Sequence, residues 1–192
     1  YFPAQGCPHN DKIDIRCLLR QNGIEAGAAF VFPNGFGDNI SALLRQLHDL
    51  LGPGFSYMGG GTGDNLGICK IHQITEQGVS TDGFALALVA GVKFKFGLAH
   101  CWAPLGEPML VTKAEGKRVY EFDGLPAFSR YAACLGGIKR NDFPSFSLDH
   151  PLGIPCAGGQ FLIRDPLQVE DDGSIVFVTE VPPNTKTMLP SS

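Results

Sequence analysis

The chain has 192 residues, a formal net charge of −4 and 44% hydrophobic residues, with a mean hydropathy of +0.05. That length suits one large domain or two small interlocked ones, able to bury about 70% of the unfolded surface. No block of basic residues exists, which argues against nucleic acid as a partner, and no apolar run approaches the roughly 20 residues that span a bilayer.

The six cysteines, Cys7, Cys17, Cys69, Cys101, Cys134 and Cys156, are widely and irregularly spaced, with no CxxC or CxxCH motif. An even count permits three disulfides, but a chain this large and apolar does not need staples, so reduced thiols and a soluble, cytoplasmic setting are expected. Tyr1 stands where an initiator Met is absent and no signal-peptide pattern follows, which puts the true start upstream of it.

In chain order, residues 1–25 are a polar lead-in with a weak helical stretch around Ile13–Leu19. Ala28–Phe32 is a short apolar run ended by Pro33-Asn34-Gly35, the pattern of a buried strand. A helix follows, capped by Asp38 or Asn39. Its apolar positions are Ile40, Leu43, Leu44, Leu47, Leu50 and Leu51, and Gly52-Pro53 stops it. His48 flanks that stripe and is expected in solvent. Phe55–Met58 is a second strand, ending in the glycine cluster 59–65. Leu66–Ile74, Gly83–Val89 and Val92–His100 are expected strands, the last with Val92, Phe94 and Phe96 alternating with Lys93 and Lys95.

Strand character ending at Thr112-Lys113-Ala114 turns at Gly116 and resumes over Val119–Phe122, a β-hairpin pattern. Asp123-Gly124 breaks it, and a helix over about Ala127–Leu135 starts at Pro126 and ends at Gly136-Gly137. Residues 138–158 look like loop. Strands are expected over Gln160–Arg164 and Ser174–Glu180, and no element visibly closes the second sheet. This succession predicts an α+β fold, with helices packed on mixed or antiparallel sheets in two interlocked halves.

Candidate chemistry is sparse. Consecutive glycines at Gly59, Gly60, Gly61 and Gly63, followed by Asp64 and Asn65, fit either a tight turn or a ligand-facing anion nest. The P-loop spacing is absent. His100 and Trp102 share a face if extended, while Cys101 faces the other way; the pair suits a pocket wall or a core anchor equally. Cys69 and His72 point apart on a strand, and Cys7 and His9 lie in a Pro-rich segment, so no four-ligand zinc set is visible. No G-x-S-x-G elbow occurs, and Glu170-Asp171-Asp172 is a turn cluster typical of solvated surface. Thr112 and Lys113 offer a hydroxyl and a cation to an anion. Nothing in these residues compels an enzyme.

The order of motifs resembles the FIST domain, a sensory module of signalling proteins. The carrying residues are Phe30-Val31-Phe32-Pro33, the helix at 40–51 and Gly59–Asp64. They continue through HCWAPLG at 100–106, VTKAEG at 111–116, EFDGLPAFSRY at 121–131, Pro151-Leu152-Gly153, Phe161–Arg164, Asp172-Gly173-Ser174 and VPPNT at 181–185. The resemblance implies a lead-in at 1–25, an N-terminal half at 26–117 and an apparently truncated C-terminal half at 118–192. It also implies a non-enzymatic, cytoplasmic sensor of small ligands, amino acids among them, that signals to an output domain or partner protein.

On this reading Gly60, Gly61, Asp64 and His100 line the site together with Trp102, Thr112 and Lys113. His100 and Lys113 would answer a carboxylate and Asp64 an ammonium; an aromatic wall with few polar groups suits a zwitterion. No cofactor is expected. The alternatives are a haem-based gas sensor, with His100 or His9 as axial ligand, and an enzyme pairing Cys101 with a histidine.

Overall fold

The computed structural model describes residues 14–37, 40–64, 70–75, 78–81, 83–156 and 159–191, with the side chains at 104, 105, 190 and 191 left aside. The chain divides into two compact units, Tyr1–Gly97 and Leu98–Ser192. Mixed and antiparallel sheets with a few helices make the fold α+β.

The first unit opens with helix α1 (Ile15–Gln21), its N-terminus capped by Asp14, whose carboxylate accepts the Cys17 N–H at 3.1 Å. Strand β1 (Gly27–Pro33), helix α2 (Ile40–Leu51) and strand β2 (Phe55–Gly59) then form a parallel β-α-β unit. Strand β5 (Phe84–Val89) pairs antiparallel on the other side of β1, giving the order β2-β1-β5. The alternation in β1 sends Ala29 and Val31 to one face. There they pack with Leu19, Leu47, Leu51 and Phe55 in a core built by the helices. Each buried Leu of that core is worth about 1.5–3 kcal/mol. The α2 stripe holds for Leu47 and Leu51, but Leu44 turns out to be 40% exposed. The expected caps at 38 and 39 lie outside the described residues. At the other end Gly52, at φ 81°, closes the helix by donating its N–H to the His48 carbonyl at 2.8 Å.

Of the strand expected at Leu66–Ile74, residues 66–69 lie outside the described residues; among the rest, β3 (Gln73–Thr75) pairs with β4 (Gly78–Ser80). Val92–His100 is not a strand either, because no neighbouring strand supplies a hydrogen-bond ladder and Gly91 turns the chain at φ 78°. Its aromatic pattern still has a structural use: Phe94 stacks on Phe96, which meets Phe30 edge-on.

The second unit is one large sheet. Strand β6 (Ala103–Glu115) and β7 (Arg118–Phe122) form the expected hairpin, and β8 (Leu125–Pro126) adds to β7. Helix α3 (Ala127–Cys134) follows, with Pro126 at its N-cap. The stretch expected as loop holds a 3-10 turn (Arg140–Asp142), helix α4 (Ser145–Leu148) and strand β9 (Leu152–Pro155). Strands β10 (Phe161–Arg164), β11 (Pro166–Val169), β12 (Ile175–Phe177) and β13 (Lys186–Ser191) complete the order β10-β9-β13-β6-β7-β12-β11. Contrary to expectation a last strand completes the sheet: β13 inserts between β6 and β9, leaving β10 and β11 at the edges. Prolines at 151, 155, 166 and 190 hide these strands from a periodicity count; Pro is tolerated where its missing N–H faces away from a ladder.

Met109, Val111, Val119, Phe122, Leu152, Ile175 and Phe177 are almost wholly buried beneath α3, which contributes Ala127 and Tyr131. The Tyr131 hydroxyl donates to the His150 carbonyl at 2.6 Å, so the ring is buried without stranding its polar end.

Candidate functional site

The most tightly built polar feature of the first unit lies where β1 and β2 end. Parallel strands joined through a helix leave their carboxyl ends side by side, the place where open α/β sheets hold ligands. Beyond β2 the chain keeps pairing with β1: Thr62 donates its N–H to the Pro33 carbonyl at 2.8 Å, and Gly35 donates to the Thr62 carbonyl at 3.0 Å. The Thr62 hydroxyl adds a bond to the same Pro33 carbonyl at 3.0 Å. Asn34 folds its own side chain back, its Oδ1 accepting the Phe36 N–H at 3.0 Å.

Glycine is required at this crossing for a measurable reason. A Cβ on Gly61 would stand 2.5 Å from the Gly35 Cα, and one on Gly35 2.7 Å from the Thr62 carbonyl oxygen. Gly60 has open space around it, and its N–H donates to Val31 at 3.3 Å. Of these glycines only Gly59 has a positive φ, so the conformation of an anion nest is not formed at Gly60, Gly61 or Gly63. Gly61 carries the backbone contact, and Gly60 faces open space. Among the described residues no hydrogen bond engages the N–H of Gly61 or of Gly63, and both residues are exposed. Asp64 follows them, half-buried and engaged in an interaction of its own.

Gln73, on β3, completes the cluster. Its Nε2 donates to the Thr62 hydroxyl oxygen at 2.9 Å, and the residue is 2% exposed. Its Oε1 is buried and has no partner among the described residues.

The remaining candidates belong to the second unit. His100 is exposed, and its Nε2 lies 3.0 Å from the Phe161 carbonyl; a carbonyl only accepts, so Nε2 carries the proton and Nδ1 points elsewhere. Gln160 donates to the Leu98 carbonyl at 3.4 Å, so the segment before β6 runs along the start of β10. Trp102 is half-buried, one residue before β6 begins, and Cys101 is exposed and free. The expected shared strand face for His100 and Trp102 is absent, since regular pairing starts at Ala103.

Thr112 and Lys113 sit near the far end of β6, about 30 Å from Trp102 if the strand runs straight. Both are used by the hairpin: the Thr112 hydroxyl accepts the Gly124 N–H at 3.0 Å, and the Lys113 ammonium lies 5.4 Å from the centre of the Tyr120 ring. Gly60, Gly61 and Asp64 thus form one group in the first unit. His100 with Trp102, and Thr112 with Lys113, form two more in the second.

His9 and Cys69 fall outside the described residues. Among the described residues no group of three or more His, Cys, Asp or Glu could hold a metal ion, and no helix is long and apolar enough to cross a membrane. A shallow, open depression of about 400 Å³ lies at the opposite end of the first sheet, lined by Gly27, Gly54, Ser56 and Lys93 among others. None of the candidate residues borders it. Sequence reasoning missed Asn34, Gly35 and Gln73. Pro33-Asn34-Gly35 was legible only as a strand terminator, and Gln73 carried no signal among the polar neighbours Lys70, His72 and Thr75.

An α+β chain with a glycine-rich crossing and a hairpin hub fits a family of sensory modules. Residues 8–125 match the FIST N domain and residues 127–191 match the FIST C domain. The chain belongs to the FIST family, whose domains are sensory domains of signal transduction. It is 31% identical over 157 residues to an uncharacterised protein of Methanocaldococcus jannaschii, a match covering 71% of this chain and 30% of that protein. No solved structure matches. The family boundary near 126 differs from the boundary between the compact units at 97, because β6 and β7 pair with strands of the C-terminal match.

Proposed function

We propose that this chain is a cytoplasmic ligand-binding domain for a small zwitterion such as an amino acid, and that it reports occupancy to an output domain or partner protein. The observation that carries this reading is the glycine crossing at the carboxyl ends of β1 and β2. It is held by the Thr62–Pro33 and Gly35–Thr62 hydrogen bonds, and among the described residues nothing pairs the N–H groups of Gly61 and Gly63. Two such donors suit a carboxylate, and Asp64 beside them suits an ammonium. Backbone donors already placed by that pairing cost little ordering on binding, which favours a small ligand with few contacts. His100 and Trp102 are a separate candidate in the second unit, where the exposed imidazole suits a carboxylate. Thr112 and Lys113 have the weaker claim, since the hairpin already engages them.

Calorimetry with a panel of amino acids tests the reading. A saturable hit is expected, weakened by Asp64→Asn if the first unit holds the ligand and by His100→Ala if the second does. A flat panel on folded protein overturns it.

A further inference from the structure

Gln73 is a buried amide with one end satisfied and, among the described residues, one end without a partner. The Thr62 hydroxyl donates to the Pro33 carbonyl at 3.0 Å and accepts from the Gln73 Nε2 at 2.9 Å. That arrangement leaves Oε1 as the atom without a partner. Buried acceptors are nearly always paired, so an orphan calls for an explanation in the residue's role.

We infer that Gln73 is a ligand-reading residue, whose Oε1 accepts a hydrogen bond from an N–H donor on the bound molecule, a primary ammonium or amide. This deepens the zwitterion reading by naming the group that recognises the ligand's nitrogen. A carbonyl-type oxygen rejects carboxylates and phosphates and accepts only donors, so Gln73 complements the Gly61 and Gly63 N–H groups, which select the opposite chemistry. The residue is 2% exposed, so a donor reaches Oε1 only by displacing what covers it. Thr62 is hydrogen-bonded to the same amide and to β1, so occupancy at Gln73 moves the glycine crossing. Ligand recognition and a shift of the loop become one event, which is what a sensor requires.

The test is side-chain amide NMR on glutamine-labelled full chain, with the Gln73 resonance assigned by its loss in Gln73→Met. Methylammonium chloride is titrated against tetramethylammonium chloride at constant ionic strength; the second probe has the charge and no N–H. A saturable shift of the Gln73 resonance with methylammonium is expected, weaker by roughly tenfold or more with tetramethylammonium. Backbone shifts at Gly61 and Thr62 should accompany it, persist in Gln73→Glu, which keeps an acceptor, and vanish in Gln73→Met. No saturable shift, equal response to both probes, or an unchanged response in Gln73→Met overturns the inference and leaves Gln73 a structural amide. A flat amino-acid panel alongside a saturable methylammonium response defeats the zwitterion reading alone.

Discussion

Arg130 and Asp123 lock the start of α3 to the hairpin before it. Arg130 Nε donates to Asp123 Oδ2 at 2.8 Å, while Asp123 Oδ1 accepts the Leu110 N–H at 2.8 Å. Asp123 sits at φ 52°, a conformation that Asn and Asp tolerate better than other side chains. One short acidic residue therefore makes the turn and fastens both of its sides.

The pH dependence follows from that pairing. The Leu110 N–H and the Arg130 guanidinium hold the Asp123 carboxyl below the usual carboxylate range. Its contribution is complete above the unfolded value of about 3.9 and is lost as pH falls through the lower folded value. Thermal melts of wild type and Asp123→Asn should differ near neutral pH and converge in acid. Asn keeps the turn and one acceptor, so only the partly exposed ion pair to Arg130 is lost, and a loss of about 0.5–1 kcal/mol is expected at pH 7. A gap that is independent of pH would refute the role of the charge.

The two central glycines of the crossing should respond differently to one methyl group. Gly61→Ala drives a Cβ against the Gly35 backbone and should cost about 1–3 kcal/mol, whereas Gly60→Ala meets open space and should be nearly neutral. Equal denaturant midpoints for the two variants would contradict the close approach.

Tyr131 should resist titration. Burial pushes its hydroxyl far above the ordinary tyrosine range. In an alkaline ultraviolet titration its ionisation should appear only as the protein unfolds. Tyr131→Phe leaves the His150 carbonyl without its 2.6 Å partner and should cost about 1–2 kcal/mol, read from chemical denaturation.

Truncation separates the compact units from the family boundary. A fragment spanning 98–192 keeps the whole strand order of the second sheet and should show dispersed amide resonances. A fragment spanning 127–192 lacks β6 and β7, the neighbours of β13 and β12, and should be unfolded. Folding of the shorter piece would show that the hairpin is dispensable.

The elements easiest to find in the sequence were those whose period matched their burial. Helix α2 and strand β1 are read directly from Leu47, Leu51, Ala29 and Val31. The hairpin at Gly116 and the start of α3 at Pro126 were legible from turn chemistry. Val92–His100 misled because alternation records which side an aromatic faces, not whether a neighbour supplies hydrogen bonds. Strands β9, β11 and β13 were obscured by prolines, and β13 pairs with β6, which lies far away in sequence. At the candidate site the glycines announced a crossing. The Gln73 amide could not be anticipated, because its significance is an unmet hydrogen bond, and that is a property of three-dimensional packing alone.

The placement of β13 also has a consequence in time. Its partners on either side, β6 and β9, are made well before residues 186–191 leave the ribosome, yet neither can find its final neighbour until then. The first unit has every strand of its own sheet by Val89 and can fold as soon as it emerges. The second must keep a long, apolar-faced β6 waiting for a strand some 80 residues later, the kind of distant pairing that folds slowly and exposes sticky edges meanwhile. Synthesis thus produces a finished first unit attached to a second one that is briefly dependent on not meeting another unpaired strand.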